Sequence, residues 1–424
     1  MTDPPAEEVR NTPQKKPRLV TRPRDDALQV ITSRHELEAF MAEVDPAAPI
    51  AIDAERAQSF RYSGKAYLIQ FHQYGCGTRL LDPIALSGPD GIAHLDDLSA
   101  ALAGCEWVLH AASQDLPCLA EVGLIPQRIF DTELAGRLLG LSRVSLSPML
   151  TQYLGIELAK AHSADDWSRR PLPASLLSYA ALDVDYLVEL RDAVGDDLQA
   201  AGKAAWAEQE FADVVERLTI RPADDPERWR NAKGLGRLRQ PRELAVAKAL
   251  WHVRDALARH ADVAPGRILS DVSLVDAAAS LAHTPADQVE AVLAGLNGFT
   301  GPFARRHRKR WTSAVAHTLS SDPASWPHRR RVRGVPSPRL WEQTNPAAAA
   351  RWAAARPTLT EVAEDHSLPP ENLLTVASLA QIVWPDDADR SVDGLRTALA
   401  NVGARPWQQD LVAPALADAL SRLA

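Results

Sequence analysis

Cysteine is scarce in this chain: Cys76, Cys105 and Cys118 are the only three among 424 residues, odd in number and irregular in spacing. That fits neither a disulfide framework nor a zinc site, and it suits a reducing compartment, so a cytoplasmic protein is expected. Long apolar runs are missing too. No segment approaches the ~20 apolar residues that span a bilayer. The amino-terminal stretch MTDPPAEEVRNTPQKKPRLVTRPRDD has no apolar centre of the kind a signal peptide needs. Neither secretion nor membrane insertion is expected. An excess of positive charge is also absent, since 47 Lys and Arg against 55 Asp and Glu leave a formal net charge of −8. This argues against a protein that coats nucleic acid non-specifically, because such binding is carried by basic side chains on phosphates. Basic residues are instead concentrated locally, at 10–24, at 228–242 and in the run Arg305, Arg306, Arg308, Lys309 and Arg310.

What is present is the composition of a globular protein, 46% hydrophobic and 24% charged. At roughly 100 to 200 residues per domain the chain holds two or three. Residues 1–26 are Pro-rich and poor in large apolar side chains, which predicts a disordered tail. A short strand from Leu28 to Ile31 precedes a helix whose start is marked by Ser33 and Glu36, the spacing of a capping box. Three short apolar or alternating segments follow, 50–54, 67–71 and 78–81, separated by turn-rich stretches that predict an antiparallel meander. Helix-like and strand-like segments then alternate, giving a mixed α/β domain over 27–215. Leu176, Leu177, Ala180, Leu187 and Leu190 place 175–193 on one amphipathic helix. Beyond it strands are lacking. Residues 216–237 read as a linker, 238–318 as an all-helical domain, 319–346 as a Pro- and Arg-rich linker and 347–424 as a second helical part.

Acids recur at the ends of predicted elements. Asp53 and Glu55 fall on one side of the strand that ends near Ala54, because side chains alternate along a strand. Taken alone, such a pair is more often a solvated edge. In His110-Ala-Ala-Ser-Gln-Asp115 a strand gives way to a helix, and Ser113 capping that helix with Asp115 in its first turn would account for the segment equally well. Tyr179 and Asp183, four apart, share a helix face, where a simple structural hydrogen bond is the plainer reading. Together, however, three elements deliver four carboxylates. Hard divalent cations require oxygen ligands of this kind, and two cations about 3.5–4 Å apart stabilise the attacking and leaving oxygens of a phosphodiester displacement.

Asp53-Ala-Glu55, Asp115 within His110-Ala-Ala-Ser-Gln-Asp-Leu, and Tyr179-Ala-Ala-Leu-Asp183 resemble, in order, the three motifs of the DEDDy exonucleases, and ribonuclease D in particular. The segment 160–172, with Lys160, Asp166-Trp167 and Arg170-Pro-Leu172, is similar to a signature of that family. The resemblance implies an RNase H-like (DnaQ-like) domain and a metal-dependent 3′ to 5′ exoribonuclease releasing nucleoside 5′-monophosphates. It implies two divalent ions, Mg²⁺ or Mn²⁺. Asp53 would bridge them, Glu55 and Asp183 would complete the site nearer the attacking water, and Asp115 would support the second ion. Tyr179 would orient the water, since a phenol with a pKa near 10 is a poor base at neutral pH. Ala54 stands where many relatives have Thr, which leaves the ligands intact.

Residues 238–318 resemble the helical HRDC domain, through Leu244-Ala-Val-Ala-Lys-Ala-Leu-Trp251, Arg254, Pro265, Ile268-Leu269, Leu274 and Pro285; 347–424 are read as a diverged second copy. Trp251 and Trp311 are read as core rather than as base-stacking platforms. The candidate substrate contacts are His110, Gln114, Lys160 and the run Arg305, Arg306, Arg308 and Lys309. The resemblance implies RNA with a single-stranded 3′ end, tRNA precursors among its substrates, and no obligate protein partner is expected. Two rivals stand beside this reading: an exonuclease for single-stranded DNA, since metal ligands do not read the 2′-hydroxyl, and a binding scaffold without turnover.

Overall fold

The computed structural model describes residues 16–25, 28–159, 165–219, 225–329 and 335–423. The first half contains β1 (Arg18–Val20), β2 (Gln29–Ile31), α1 (Arg34–Glu43), β3 (Ile50–Arg56), β4 (Ala66–Gln73), β5 (Gly77–Leu81), α2 (Asp96–Ala101) and β6 (Trp107–Leu109). It continues with α3 (Leu116–Glu121), β7 (Ile129–Asp131), α4 (Thr132–Leu138), α5 (Leu146–Leu154), β8 (Ile156–Leu158), α6 (Ala174–Asp185), α7 (Leu187–Ala200) and α8 (Ala204–Thr219). Six strands form one mixed sheet in the order β2-β5-β4-β3-β6-β7. The meander β3-β4-β5 is antiparallel, whereas β2, β6 and β7 join in parallel. This places β3 in the interior of the sheet. Ser33 and Glu36 form the expected capping box at the start of α1.

Two local expectations are corrected. The predicted tail includes β1, which pairs in parallel with β8, Arg18 opposite Ile156; residues 1–15, 26 and 27 lie outside the described residues. The single helix expected over 175–193 is two, α6 and α7, broken at Tyr186 (φ −120°, ψ 7°). Tyr186 is buried with the Arg24 guanidinium 4.0 Å from its ring centroid, and the neighbouring Asp185 accepts a bond from Thr78 and one of 2.8 Å from the Arg24 amide. Both helices bury apolar side chains, Leu176 and Ala180 of α6 in one cluster and Leu187 and Leu190 of α7 in another, so the apolar pattern runs across the break.

The second half is helical throughout its described residues: α9 (Pro241–Ala261), α10 (Pro265–Ile268), α11 (Asp271–Leu281), α12 (Val289–Gly295), α13 (Pro302–Arg306) and α14 (Arg308–Leu319), then α15 (Trp341–Thr344), α16 (Pro346–Asp365), α17 (Pro370–Leu373), α18 (Val376–Val383), α19 (Val392–Asn401) and α20 (Pro406–Ser421). The two expected linkers contribute core residues. Trp229 is fully buried in the core of the first helical module, and Trp341 in that of the second. The modules share a plan. In each, a long helix ends near a non-glycine residue in the left-handed region, Asp262 (φ 44°) or Ser367 (φ 50°), followed by a one-turn helix that starts at proline and a helix capped by Ser270 or Thr375.

Each module also presents that corner to the α/β domain. Asp262 accepts a bond from the Ser63 amide at 3.0 Å, and Ala264 N–H donates to the Phe60 carbonyl at 3.0 Å. At the second corner the buried Lys203 ammonium donates to the carbonyls of Leu138 (2.6 Å) and His366 (2.7 Å). Here the hydrophobic core is continuous between the α/β domain and the second module, whereas the first module keeps a core of its own.

Candidate active site

A cleft of about 420 Å³ opens at the end of β3, lined by Asp53, Glu55, Asp115, Tyr179 and Asp183 together with His110 and Gln114. Oxygen atoms of Asp53, Glu55 and Asp183 lie within 4.8 Å of one another. Strand alternation turns Asp53 and Glu55 to the same side, and an irregularity in the β3-β4 register between Glu55 and Arg56 brings Arg56 to the cleft as well. Asp115 hydrogen-bonds to Asp53, and the Tyr179 hydroxyl bonds to Asp183 one helical turn away on α6.

Each element is held by polar contacts that reach across the domain. Asp115 sits at the start of α3, after a turn in which Ala111 adopts φ 63°. The buried Asp131 fixes that turn, accepting from the amides of Ala111 (3.0 Å) and Ala112 (2.9 Å) while capping α4. No side-chain bond from Ser113 caps the helix. Ahead of α6, the Arg170 guanidinium is clamped to Asp82 through bonds of 2.6 and 2.8 Å and donates to the Tyr67 carbonyl at 2.6 Å. Trp167, fully buried, lies with its ring 6.3 Å from that of Tyr179. The family-like signature therefore acts as a brace behind the phenol. Asp131, Asp82 and Arg56 are contributors that the motifs alone do not disclose; for Asp131 a signal was available, an Asp directly before Thr132 and Glu133 at a helix start.

Electrostatically the cleft asks for a cation. Burial, and then the charge of its neighbours, pushes Glu55 and Asp115 up to about 9, while burial raises Asp53 to about 6. Asp183 is held well above the carboxylate range by burial and by Asp53. Carboxyls that cannot all ionise together, with hard oxygen donors converging on one point, fit divalent cations, whose charge inverts this logic. A carboxyl with a raised folded pKa opposes folding above about pH 4, the unfolded value, and ceases to do so below it. Asp183→Asn, which keeps shape and removes charge, is thus expected to raise the melting temperature measured in chelator near neutral pH. Each ~1 kcal/mol relieved corresponds to roughly 2–4 °C for a domain of this size. A lower midpoint would contradict the repulsion.

The remaining sequence candidates divide. His110 is at the cleft, its Nδ1 2.8 Å from the Thr132 hydroxyl, and burial pushes its pKa down to about 4, so the imidazole is neutral at working pH. Gln114 is exposed at the rim. Lys160 lies outside the described residues. Arg305, Arg306, Arg308 and Lys309 sit on α13 and α14 and do not line the cleft. A larger cavity, about 550 Å³, lies between β7, α7 and α8, but its Glu106 is already paired with Arg191 at 2.7 Å and it contains none of the converging acids.

Comparison with known proteins identifies the domains. A family model described as 3′-5′ exonuclease matches residues 28–199, one described as HRDC domain matches 243–315, and one described as 3′ to 5′ exonuclease C-terminal domain matches 334–420. The ribonuclease D of Zymomonas mobilis is 34% identical over 281 residues, covering 64% of this chain and 68% of that protein. A crystal structure of a protein from Bifidobacterium adolescentis superposes with a TM-score of 0.85 at 32% identity, over 96% of this chain and all of that one. The fold is also that of Escherichia coli RNase D, with a TM-score of 0.65 at 24% identity over 93% and 99% of the two chains. Among the described residues no helix is long and apolar enough to cross a membrane. With its acidic cleft in an exonuclease domain, followed by helical modules in this order, the chain is a 3′–5′ exonuclease and belongs to the ribonuclease D family.

Proposed function

We propose that the chain trims RNA from a single-stranded 3′ end, one nucleotide at a time, with Asp53, Glu55, Asp115 and Asp183 holding two divalent ions, Mg²⁺ or Mn²⁺, and Tyr179 holding the attacking water. The observation that carries this reading is the convergence of three carboxylates within 4.8 Å, with Asp115 on Asp53 and Tyr179 on Asp183. When bound, such ions activate water and stabilise the charge that develops on the transferred phosphate. The side chains supply position. β3 and α6 hold Asp53, Glu55 and Asp183 on rigid elements, and the Trp167 and Arg170 brace fixes the phenol. Tyr179 is kept protonated by burial and by the Asp183 charge, so its hydroxyl orients water rather than removing its proton.

His110 and Gln114, which also line the cleft, offer hydrogen bonds to the terminal nucleotide, His110 as a neutral group. Precursors of tRNA are the substrates this reading favours. E. coli RNase D is described as an exoribonuclease involved in structured RNA processing. The three cysteines are free and buried, in keeping with a reducing cytoplasm. The second helical module repeats the plan of the first, which supports reading it as a diverged copy.

The test uses 5′-labelled single-stranded RNA and a DNA of matched sequence, each with Mg²⁺, Mn²⁺ or EDTA. RNA is expected to shorten from its 3′ end with either metal and to persist in EDTA. A clear preference for DNA would overturn the substrate, and shortening in EDTA would overturn the metal.

A further inference from the structure

Three tryptophans of the first helical module differ in burial. Trp229 and Trp311 are fully enclosed, as core residues should be, but Trp251 on α9 is only half-buried. Trp251 lines a further pocket of about 270 Å³, with Arg228, Asn231, Arg254, Asp255 and Asp271 around it. Sites for drug-sized ligands begin at ~300 Å³, so this one is on the scale of a single planar heterocycle.

The charges of the pocket cancel, two guanidiniums against two carboxylates, which does not select a phosphate. It does offer both donors and acceptors to the edge of a base. The exposed Arg228 guanidinium lies 5.8 Å from the Trp251 ring centroid. Aromatic faces and guanidinium planes are the surfaces on which unpaired bases stack. Arg254, only 5% exposed, is bonded to Asp271 at 2.6 Å and to the Leu269 carbonyl at 3.0 Å, yet its Nε is buried with no partner. Arg254 is thus held in place by its protein partners and forms a fixed wall of the pocket.

The pocket is also linked to the acidic cleft through the segment that follows β3. Pro265, on its rim, follows Ala264, whose N–H bonds to the carbonyl of Phe60, and Phe60 lines the cleft. Asp255, within the pocket, accepts from the Tyr62 hydroxyl at 2.9 Å. Arg267 packs on Phe60, 4.2 Å from the ring centroid, at the same junction. Phe60 and Tyr62 thereby connect the cleft to the edge of the Trp251 pocket.

We propose that this pocket holds the base of an unpaired RNA nucleotide upstream of the scissile end, stacked on Trp251 and flanked by Arg228. The proposal rests on the exoribonuclease reading above and deepens it with a subsite. Oligoribonucleotides of one length, each with a single abasic residue placed successively further from the 3′ end, are trimmed by the wild type, Trp251→Ala, Trp251→Phe and Arg228→Ala, with a dinucleotide alongside. Trp251→Ala is expected to raise KM for oligomers roughly 5- to 100-fold, the range that loss of base–aromatic stacking gives. Its kcat and its dinucleotide hydrolysis stay near wild type, and Trp251→Phe recovers most of the loss. In the wild type one abasic position produces the same rise, and in Trp251→Ala that position no longer matters. Arg228→Ala, which removes an exposed side chain and leaves the core intact, gives a smaller rise of the same pattern.

An unchanged KM in both Trp251→Ala and Arg228→Ala would overturn the subsite, as would an equal loss on the dinucleotide. Wild-type protein that trims no RNA would fail the exoribonuclease reading instead. Binding of the same oligomers in chelator then decides the subsite by itself. Dependence on one abasic position, lost in Trp251→Ala, keeps it, and no such dependence overturns it.

Discussion

Asp53→Ala is expected to cut release of 5′-monophosphates from RNA by roughly 10²- to 10³-fold in single-turnover rate, the loss that follows deletion of one preorganised electrostatic stabiliser. The choice of Asp53 follows from its position. Its charge contributes to the raised pKa of Glu55, of Asp115 and of Asp183, so it is the carboxylate at which the cluster converges. Removing it separates the ligands that β3, α3 and α6 bring together. Folding should survive, because the same charge is a source of repulsion when no cation is bound. The expected result is therefore lost turnover with an unchanged circular dichroism spectrum and a melting temperature in chelator no lower than that of the wild type. Added metal should stabilise the wild type by mass action and the variant much less. Wild-type activity in Asp53→Ala would remove the cluster from the mechanism.

How much of this was legible in the sequence depends on the range of the interaction that decides each feature. The meander could be read from local alternation, and the acids could be placed at element ends by the same means, because both follow from a two-residue period. The capping box at Ser33 and Glu36 is equally local. The strand β1 was not legible, since three residues become a strand only by pairing with a segment whose Ile156 stands opposite Arg18. The break at Tyr186 was hidden for the opposite reason. Burial continues on both sides of it, so the apolar pattern has no gap where the backbone turns. In the predicted linkers, Pro and Arg content outweighed single tryptophans, yet Trp229 and Trp341 each anchor a core. For Trp251 the helical period correctly placed the residue on α9, but periodicity does not report whether the neighbouring segment closes over the ring. Here 228–232 leaves a pocket instead.

Tyr179→Phe separates two roles that the motif alone leaves together. If the phenol removed a proton from water, its pKa would have to approach working pH. Burial, and next the Asp183 charge, drive it upward from its ordinary value instead. On the proposed reading the hydroxyl stays protonated and would act by direction, bonded to Asp183 and backed by Trp167. Deleting it should cost on the order of 10²-fold in kcat, within the range for groups that position or transfer protons. KM should change little, because the phenyl ring still packs against Trp167. The shape of the pH–rate profile is the sharper readout. Since Tyr179 does not titrate near neutrality, the profiles of wild type and Tyr179→Phe should be parallel, displaced only in height. An unchanged rate would remove Tyr179 from the reaction. Loss of a basic limb in the variant would instead make the phenol the base, and the brace behind it would then have to be understood as tuning a proton acceptor rather than holding a pointer.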